Sequence, residues 1–226
     1  MTRIAKAPDK RRSELIACAQ KLFYSKGYES TSVRDIVDEV GVAKGTFYYY
    51  FDSKQAVLEA LVAELLAQML KHFEAIVADD GLNAIQKWGR AFQEIGDWKI
   101  GRKDELLALA RVMQMDGNVL LLHKLWTQRV QMTVPILTSI IEQGIEERVF
   151  ETAYAEEVAQ ILYVVAQTMS EGITDLLLNP DNYDHPEARA RRKIAATQTA
   201  IERLLGAAPG SLPIIDEQTL AAWFED

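Results

Sequence analysis

The sequence predicts an all-α fold, with a small three-helix unit at the N-terminus and a larger helical body behind it. Three observations carry this. Apolar residues recur at i, i+3 and i+4 over most of the 226 residues. No segment alternates with period two, as a half-buried strand would. Between Pro8 and Pro135 there is no proline to interrupt a helix.

The elements follow in order. Leu15, Ala19, Leu22 and Phe23 repeat at helical spacing and stop at Lys26-Gly27. A short helix carries Val33, Ile36, Val37 and Val40 on one side and ends at Gly41. Another short run, 43–50, leads into Phe51-Asp52-Ser53. From there a long apolar pattern runs from Val57 to Ile76, with Ser53 or Asp52 as its N-cap and Asp79-Asp80-Gly81 at its end. Further helices are expected at about 82–99, 103–116, 118–148, 153–178 and 186–205. Pro135 should kink or break the third of these, and Pro186 opens the last at its first helical position. The tail from Gly206 holds Pro209, Gly210 and Pro213, so it reads as irregular, with Leu220, Trp223 and Phe224 able to dock.

Charge divides the chain. The whole carries 25 basic and 33 acidic side chains, a net of −8, which excludes a uniformly basic nucleic-acid coat. Residues 1–54 hold ten basic and seven acidic side chains, a net of +3, which leaves −11 for 55–226. A basic head on an acidic body points to a polyanion partner for one end only. The longest uncharged stretch, Val158–Ser170, falls short of the ~18 residues of a membrane span. The start, MTRIAKAPDKRR, has no apolar core for a secretory signal. Cys18 is the only cysteine, which excludes an intramolecular disulfide and a Cys-rich zinc site. The expectation is a soluble cytoplasmic protein with no membrane partner.

The head carries a chemical pattern. Thr31 or Ser32 can cap the second helix, and Asp35 follows Ser32 at the capping-box interval. Gly41 stands where the chain must turn sharply between helices, a place for positive φ. Lys44, Gly45 and Thr46 open the third helix, followed by five aromatics in a row. Phe47 and Phe51 share a face and point inward. Tyr48, Tyr49 and Tyr50 then point at least partly outward. A basic residue, a glycine and a threonine at an exposed helix start suit a phosphate or a base edge. Two short helices joined by such a turn make a helix-turn-helix, whose second helix enters the major groove.

The string TSVRDIVDEVGVAKGTFYYYFDSK at 31–54, preceded by AQKLFYSKGYES, resembles the DNA-binding domain of the TetR family of bacterial regulators. A weaker echo, IIEQGIEERVF at 140–150, resembles the end of the long helix before that family's dimerisation helices. The resemblance implies a homodimer bound to a palindrome in double-stranded DNA. It also implies a repressor released by a small-molecule effector. By position, Arg34, Lys44, Gly45, Thr46, Tyr48, Tyr49, Tyr50 and Lys54 fall where the family touches DNA, with Thr31 and Ser32 at the start of the second helix. Tyr48 is implied to contact phosphate, Lys54 to clamp the backbone, and Lys44, Thr46 and Tyr49 to read base edges. Tyr50 stands where the family often has His, and Ala43 where Ser is frequent.

These readings organise the chain as a basic arm at 1–9, a DNA-binding domain at 10–54 with its motif at about 32–51, a regulatory and dimerisation domain at 55–206, and a tail at 207–226. Arg3, Lys6, Lys10, Arg11 and Arg12 are candidates for a minor-groove arm. Trp88, Phe92, Met113, Trp126, Met132, Tyr163 and Met169, with Trp98 and Met115, are core residues by spacing and also candidates to line an apolar ligand pocket. Small residues at Ala159, Ala166, Ser170, Ala196 and Ala200 mark a dimer surface. Cys18, on an apolar face, reads as a small buried filler.

Enzymatic signatures are missing from the sequence. His72, His123 and His185 are far apart, with no H-E-x-x-H pair and no G-x-x-x-x-G-K-[ST] loop. No catalytic residue, cofactor or metal site is expected. Two other readings remain beside the repressor. One is a DNA binder governed by a protein partner, without a small-molecule pocket. The other is a helical carrier or enzyme whose head has lost its function.

Overall fold

The computed structural model describes residues 8–114 and 119–225, without the side chains at positions 8, 72, 119–121 and 124. Among the described residues ten α-helices follow one another: α1 (Pro8–Lys26), α2 (Val33–Val40), α3 (Lys44–Tyr50), α4 (Lys54–Val77), α5 (Ala84–Ile100), α6 (Lys103–Met113), α7 (Val119–Glu146), α8 (Ala155–Leu178), α9 (Pro186–Leu205) and α10 (Glu217–Phe224), with one 3-10 turn at Pro180–Asn182. Among the described residues there is no strand. Arg3, Lys6, Met115 and the expected end of the 103–116 helix lie outside them.

The chain divides into two compact units. One comprises Met1–Ala67 with Ala108–Leu125, the other Gln68–Leu107 with Trp126–Asp226. The first therefore runs further than 10–54 and takes in a segment from the middle of the chain. It uses the first half of α4, where Val57, Leu58, Leu61 and Val62 are all buried. Short helices need that long partner to complete a core, because α2 and α3 have few apolar residues of their own.

In the first unit, Leu15, Ile16, Ala19 and Phe23 form the buried face of α1, as their spacing predicts. Lys10, Arg11 and Arg12 are not an arm. They belong to α1, where Arg11 pairs with Glu14 at 2.7 Å and Arg12 with Glu64 of α4 at 3.2 Å. The helix extends over them because Pro8 sits comfortably in a first turn. Cys18 is half-buried, its Sγ 3.7 Å from the Ile36 carbonyl oxygen. Burial, then Glu39, raises its pKa above the ordinary thiol value, which suits a filler.

The second unit is built around α8 and α9, whose buried faces supply Leu162, Leu176, Ile194, Ile201 and Leu205. After α7 the chain folds back sharply. The amides of Val149 and Phe150 both donate to the Gly144 carbonyl, at 2.9 and 3.0 Å, and Phe150 closes over Gly144 itself. A Cβ at position 144 would lie 2.0 Å from the Phe150 ring, so only glycine fits beneath it. α7 runs through Pro135 without a break. Gln131 and Pro135 are both exposed, so the carbonyl left without its helical N–H is not sealed from water.

The tail differs from the expectation of an irregular end. Leu212, Ile214 and Leu220 are buried, and the chain closes with α10. Asp216 caps that helix, accepting from the Thr219 amide at 2.7 Å. The tail is also bonded into the body. Trp88 Nε1 donates to the Pro213 carbonyl at 3.1 Å, and Leu212 N donates to buried Glu202 at 3.2 Å. Another buried polar group is satisfied in the same way: Lys87, 5% exposed, donates to the Val77 carbonyl at the end of α4 at 2.6 Å.

α8 is long and apolar enough to count as a membrane-span candidate by composition, against the expectation that no segment would. Leu162, Tyr163, Met169, Ile173 and Leu176 of this helix are buried in the core.

Candidate nucleic-acid interface

The α2–turn–α3 segment is held by local chemistry. Ser32 caps α2: its hydroxyl accepts from the Asp35 amide at 3.2 Å, and Asp35 accepts from the Ser32 amide at 2.7 Å. Those bonds from Ser32, with Lys26 at 3.0 Å, hold the Asp35 carboxyl well below its usual range. Gly41 ends α2 at φ 72° and ψ 41°, and the Val42 amide reaches back to the Val37 carbonyl at 3.0 Å. This left-handed cap re-aims the chain into α3 within three residues. Beneath α3, Phe47 is fully buried and its ring lies 5.8 Å from that of Phe51.

What α3 turns outward is a compact polar and aromatic surface. Lys44 and Gly45 are exposed, Thr46 is half-buried, and Ala43 supplies no side-chain cap. Tyr49 is 77% exposed and Tyr48 48%. Lys44 Nζ lies 5.7 Å above the Tyr48 ring, and Tyr50, half-buried, meets Tyr49 edge-on at 4.8 Å. Large aromatics left in water on a rigid helix have no folding purpose, and a lysine beside them gives the patch positive charge.

The remaining candidates divide. Arg34 is exposed on α2 and paired with Asp38 at 3.4 Å. Ser32 is exposed but spends its hydroxyl on the cap. Thr31 is a correction: it is 1% exposed, and its hydroxyl donates to the Gly27 carbonyl at 2.8 Å, so it closes the α1–α2 turn and offers nothing to a partner. Lys54 is engaged within the head, donating to the Tyr28 carbonyl at 2.7 Å with its ammonium 4.0 Å above the Tyr28 ring. The Tyr28–Lys54 contact joins residues 26 apart and left no signal in local spacing.

A model of the bacterial regulatory proteins of the tetR family matches residues 15–61, the span of this head. Those residues are a TetR-family domain. The chain is 37% identical over 68 residues to the HTH-type transcriptional repressor KstR2 of Rhodococcus jostii, 30% of this chain and 33% of that one. It is 22% identical over 182 residues to the repressor AcnR of Corynebacterium diphtheriae, 78% of this chain and 86% of that one. The chain spans about a third of the length of curated relatives that match its head. Beyond the head, the likeness is one of fold. A TetR transcription regulator from Haloarcula marismortui superposes with a TM-score of 0.64 at 18% identity, over 88% of this chain and 97% of that one.

In the second unit the candidate ligand residues do not form one lining. Trp88 is buried, hydrogen-bonded to Pro213 and stacked 4.8 Å from half-buried Phe92, which makes the pair core. Met169 is buried in the same core. Met113 is buried but belongs to the first unit, and Met132 stands on the exposed side of α7. Trp126 and Tyr163 do meet, edge-on at 5.3 Å. Of the small-residue candidates, Ala159 is fully buried within the chain and so is not a surface residue. Ala166, Ser170 and Ala200 are half-buried and Ala196 is exposed. Among the described residues, no three His, Cys, Asp or Glu side chains converge on a metal-sized site.

Proposed function

We propose that the chain is a homodimeric transcriptional repressor that reads a palindromic operator in double-stranded DNA and is released by a small-molecule effector. The observation that carries this is the outward face of α3, where Lys44, Gly45, Tyr48 and Tyr49 stand in water on a helix braced by Phe47. Arg34, Thr46 and Tyr50 flank that face. Lys44, Thr46 and Tyr49 reach base edges, Tyr48 reaches phosphate, and Lys54 supports the backbone clamp from its bond to Tyr28.

One such helix reads too little DNA by itself, and two at about 34–36 Å fit successive major grooves. The dimer forms through α8 and α9. Ile161 and Val164 on α8 are 46% and 48% exposed, large apolar side chains that a second copy would cover, with Ala166, Ser170, Ala196 and Ala200 allowing close approach. The effector acts from the second unit by favouring a head spacing that no longer fits the grooves, which requires unequal affinity for the two states.

The test is fluorescence anisotropy on duplexes tiling the DNA around the chain's own gene, at two salt concentrations. One duplex should bind tightly, with affinity falling steeply as salt rises. The Lys44→Ala, Tyr49→Ala double variant should lose the preference. Equal binding by wild type and variant to every duplex, including those selected from a random pool, would sink the reading.

A further inference from the structure

Helices α8 and α9 pack on each other through their buried faces, and each leaves one stripe in water. On α8 the stripe is Glu157, Ile161, Val164, Thr168 and Glu171, all exposed, on the side away from buried Leu162 and Ile173. On α9 it is Arg189, Arg192, Ala196, Thr199 and Arg203, also all exposed, on the side away from buried Ile194 and Leu205. Both stripes step by three and four residues in turn, the spacing that keeps one seam straight along a partner helix. They also match in length. Positions 157 and 171 are 14 residues apart, as are 189 and 203, which is about 21 Å of helix. Each stripe has an uncharged middle and charged ends, carboxylates on α8 and guanidinium groups on α9.

Charges on an exposed helix face are ordinarily just solvated, but two observations set these apart. The other cations of α9 are spent inside the chain. Arg191 pairs with Glu187 at 2.7 Å and also with Glu217, and Lys193 lies over Gly172 and acts electrostatically on Asp175. Among the described residues, none of Glu157, Glu171, Arg189, Arg192 and Arg203 forms an ion pair within the chain. Their nearer bonds are neutral: Glu171 accepts from Gln167 at 2.9 Å, and Arg189 donates to the Asp184 carbonyl at 3.1 Å. The second observation is the middle of the α8 stripe, where Ile161 and Val164 stand nearly half exposed between the two carboxylates.

We propose that α8 of one copy lies along α9 of a second copy, in the register that sets Glu157 and Glu171 against the arginines at the ends of the α9 stripe. Ile161 and Val164 then cover Ala196 and Thr199. Because both ends of each stripe carry the same sign, the pairing holds whichever way the two helices run. Other arrangements are worse. Laying α8 on α8 sets carboxylate against carboxylate, and a slip of one heptad puts a carboxylate against Ala196. This rests on the dimeric reading above. It adds which helix meets which, and it makes charge the feature by which the chain selects its own kind.

The experiment uses the full chain, and sedimentation of wild type should show a dimer. Two charge-reversed variants are made, Glu157→Lys with Glu171→Lys, and Arg192→Glu with Arg203→Glu. Each should dimerise about a hundredfold more weakly, because every pair occurs twice across the two-fold axis and turns from attraction to repulsion. The two variants are then produced together under different affinity tags, so that a chain unable to fold alone still meets its complement. Mixing restores both contacts, and mixed dimers should outnumber either homodimer by about tenfold or more. Variants as dimeric as wild type, mixed dimers at the share of random pairing, or no mixed dimers at all would each overturn the proposal. A monomeric wild type sinks the dimeric reading and this one with it, whereas reversed variants that stay dimeric sink only this one.

Discussion

The head and the body satisfy their polar groups in opposite ways. In the head, Thr31, Ser32, Asp35 and Lys54 all find partners within the unit, and what remains unsatisfied is turned to water on α3. In the body, Lys87 and Glu202 are bonded, while Tyr163 keeps a bare hydroxyl inside the protein. The contrast teaches where each unit leaves a polar group unmet. A surface suited to a large, rigid polyanion can be left exposed, whereas a body packed around a core gives nearly all its buried polar groups partners from the chain itself.

The comparison can be broken most severely through the head's core. Phe47→Ala empties a fully buried site beneath the reading surface and should cost about 3–5 kcal/mol, abolishing DNA binding without touching an exposed residue. Chemical denaturation followed with duplex binding on one preparation checks both parts. Next comes the body's fold-back. Gly144→Ala should destabilise by about 1–3 kcal/mol, because the Phe150 ring occupies the space a Cβ needs. The Phe150→Ala background should absorb most of that cost, and a double-mutant cycle measures the share. Removing the Ser32 cap is milder: Ser32→Ala should cost about 1 kcal/mol and weaken binding to DNA only as far as α2 frays.

The smallest effect concerns acid. Burial raises the Glu202 pKa, but bonds from Gln198, Gly210 and Leu212 outweigh it, and the folded value lies below the ordinary 4.5. A carboxylate depressed by folding contributes stability above its unfolded pKa and loses it as pH falls through the folded one. Melting temperature should therefore decline below about pH 4.5, and Glu202→Gln should flatten that part of the profile. An unchanged acid limb in the variant would assign the decline to Asp35, Asp175 or Asp216, each also depressed.

Most of the head was legible because its determinants are close in sequence. Ser32 and Asp35 are three residues apart, Gly41 marks its turn, and Phe47 and Phe51 declare their face by spacing alone. The helices of the body were legible for the same reason, since periodicity reports on one helix at a time. What failed depended on how one element packs against another. Thr31 looked like a cap or a contact, but the end of α1 claims its hydroxyl. Ala159 looked like a dimer residue until α8 turned it into the core. The tail looked irregular, yet Asp216 starts a helix once Trp88 and Glu202 hold the segment before it.

By itself, then, the sequence determined the helices, the turn at Gly41 and the identity of the outward residues on α3, because each follows from neighbours within about one or two helical turns. Tertiary structure alone decided which side chains met across helices: Lys54 on Tyr28, Phe150 on Gly144, and Trp126 of α7 on Tyr163 of α8. Periodicity assigns a residue to a face of its own helix. Which other helix that face meets, and whether the meeting satisfies a charge or strands it, is settled only when the whole core packs.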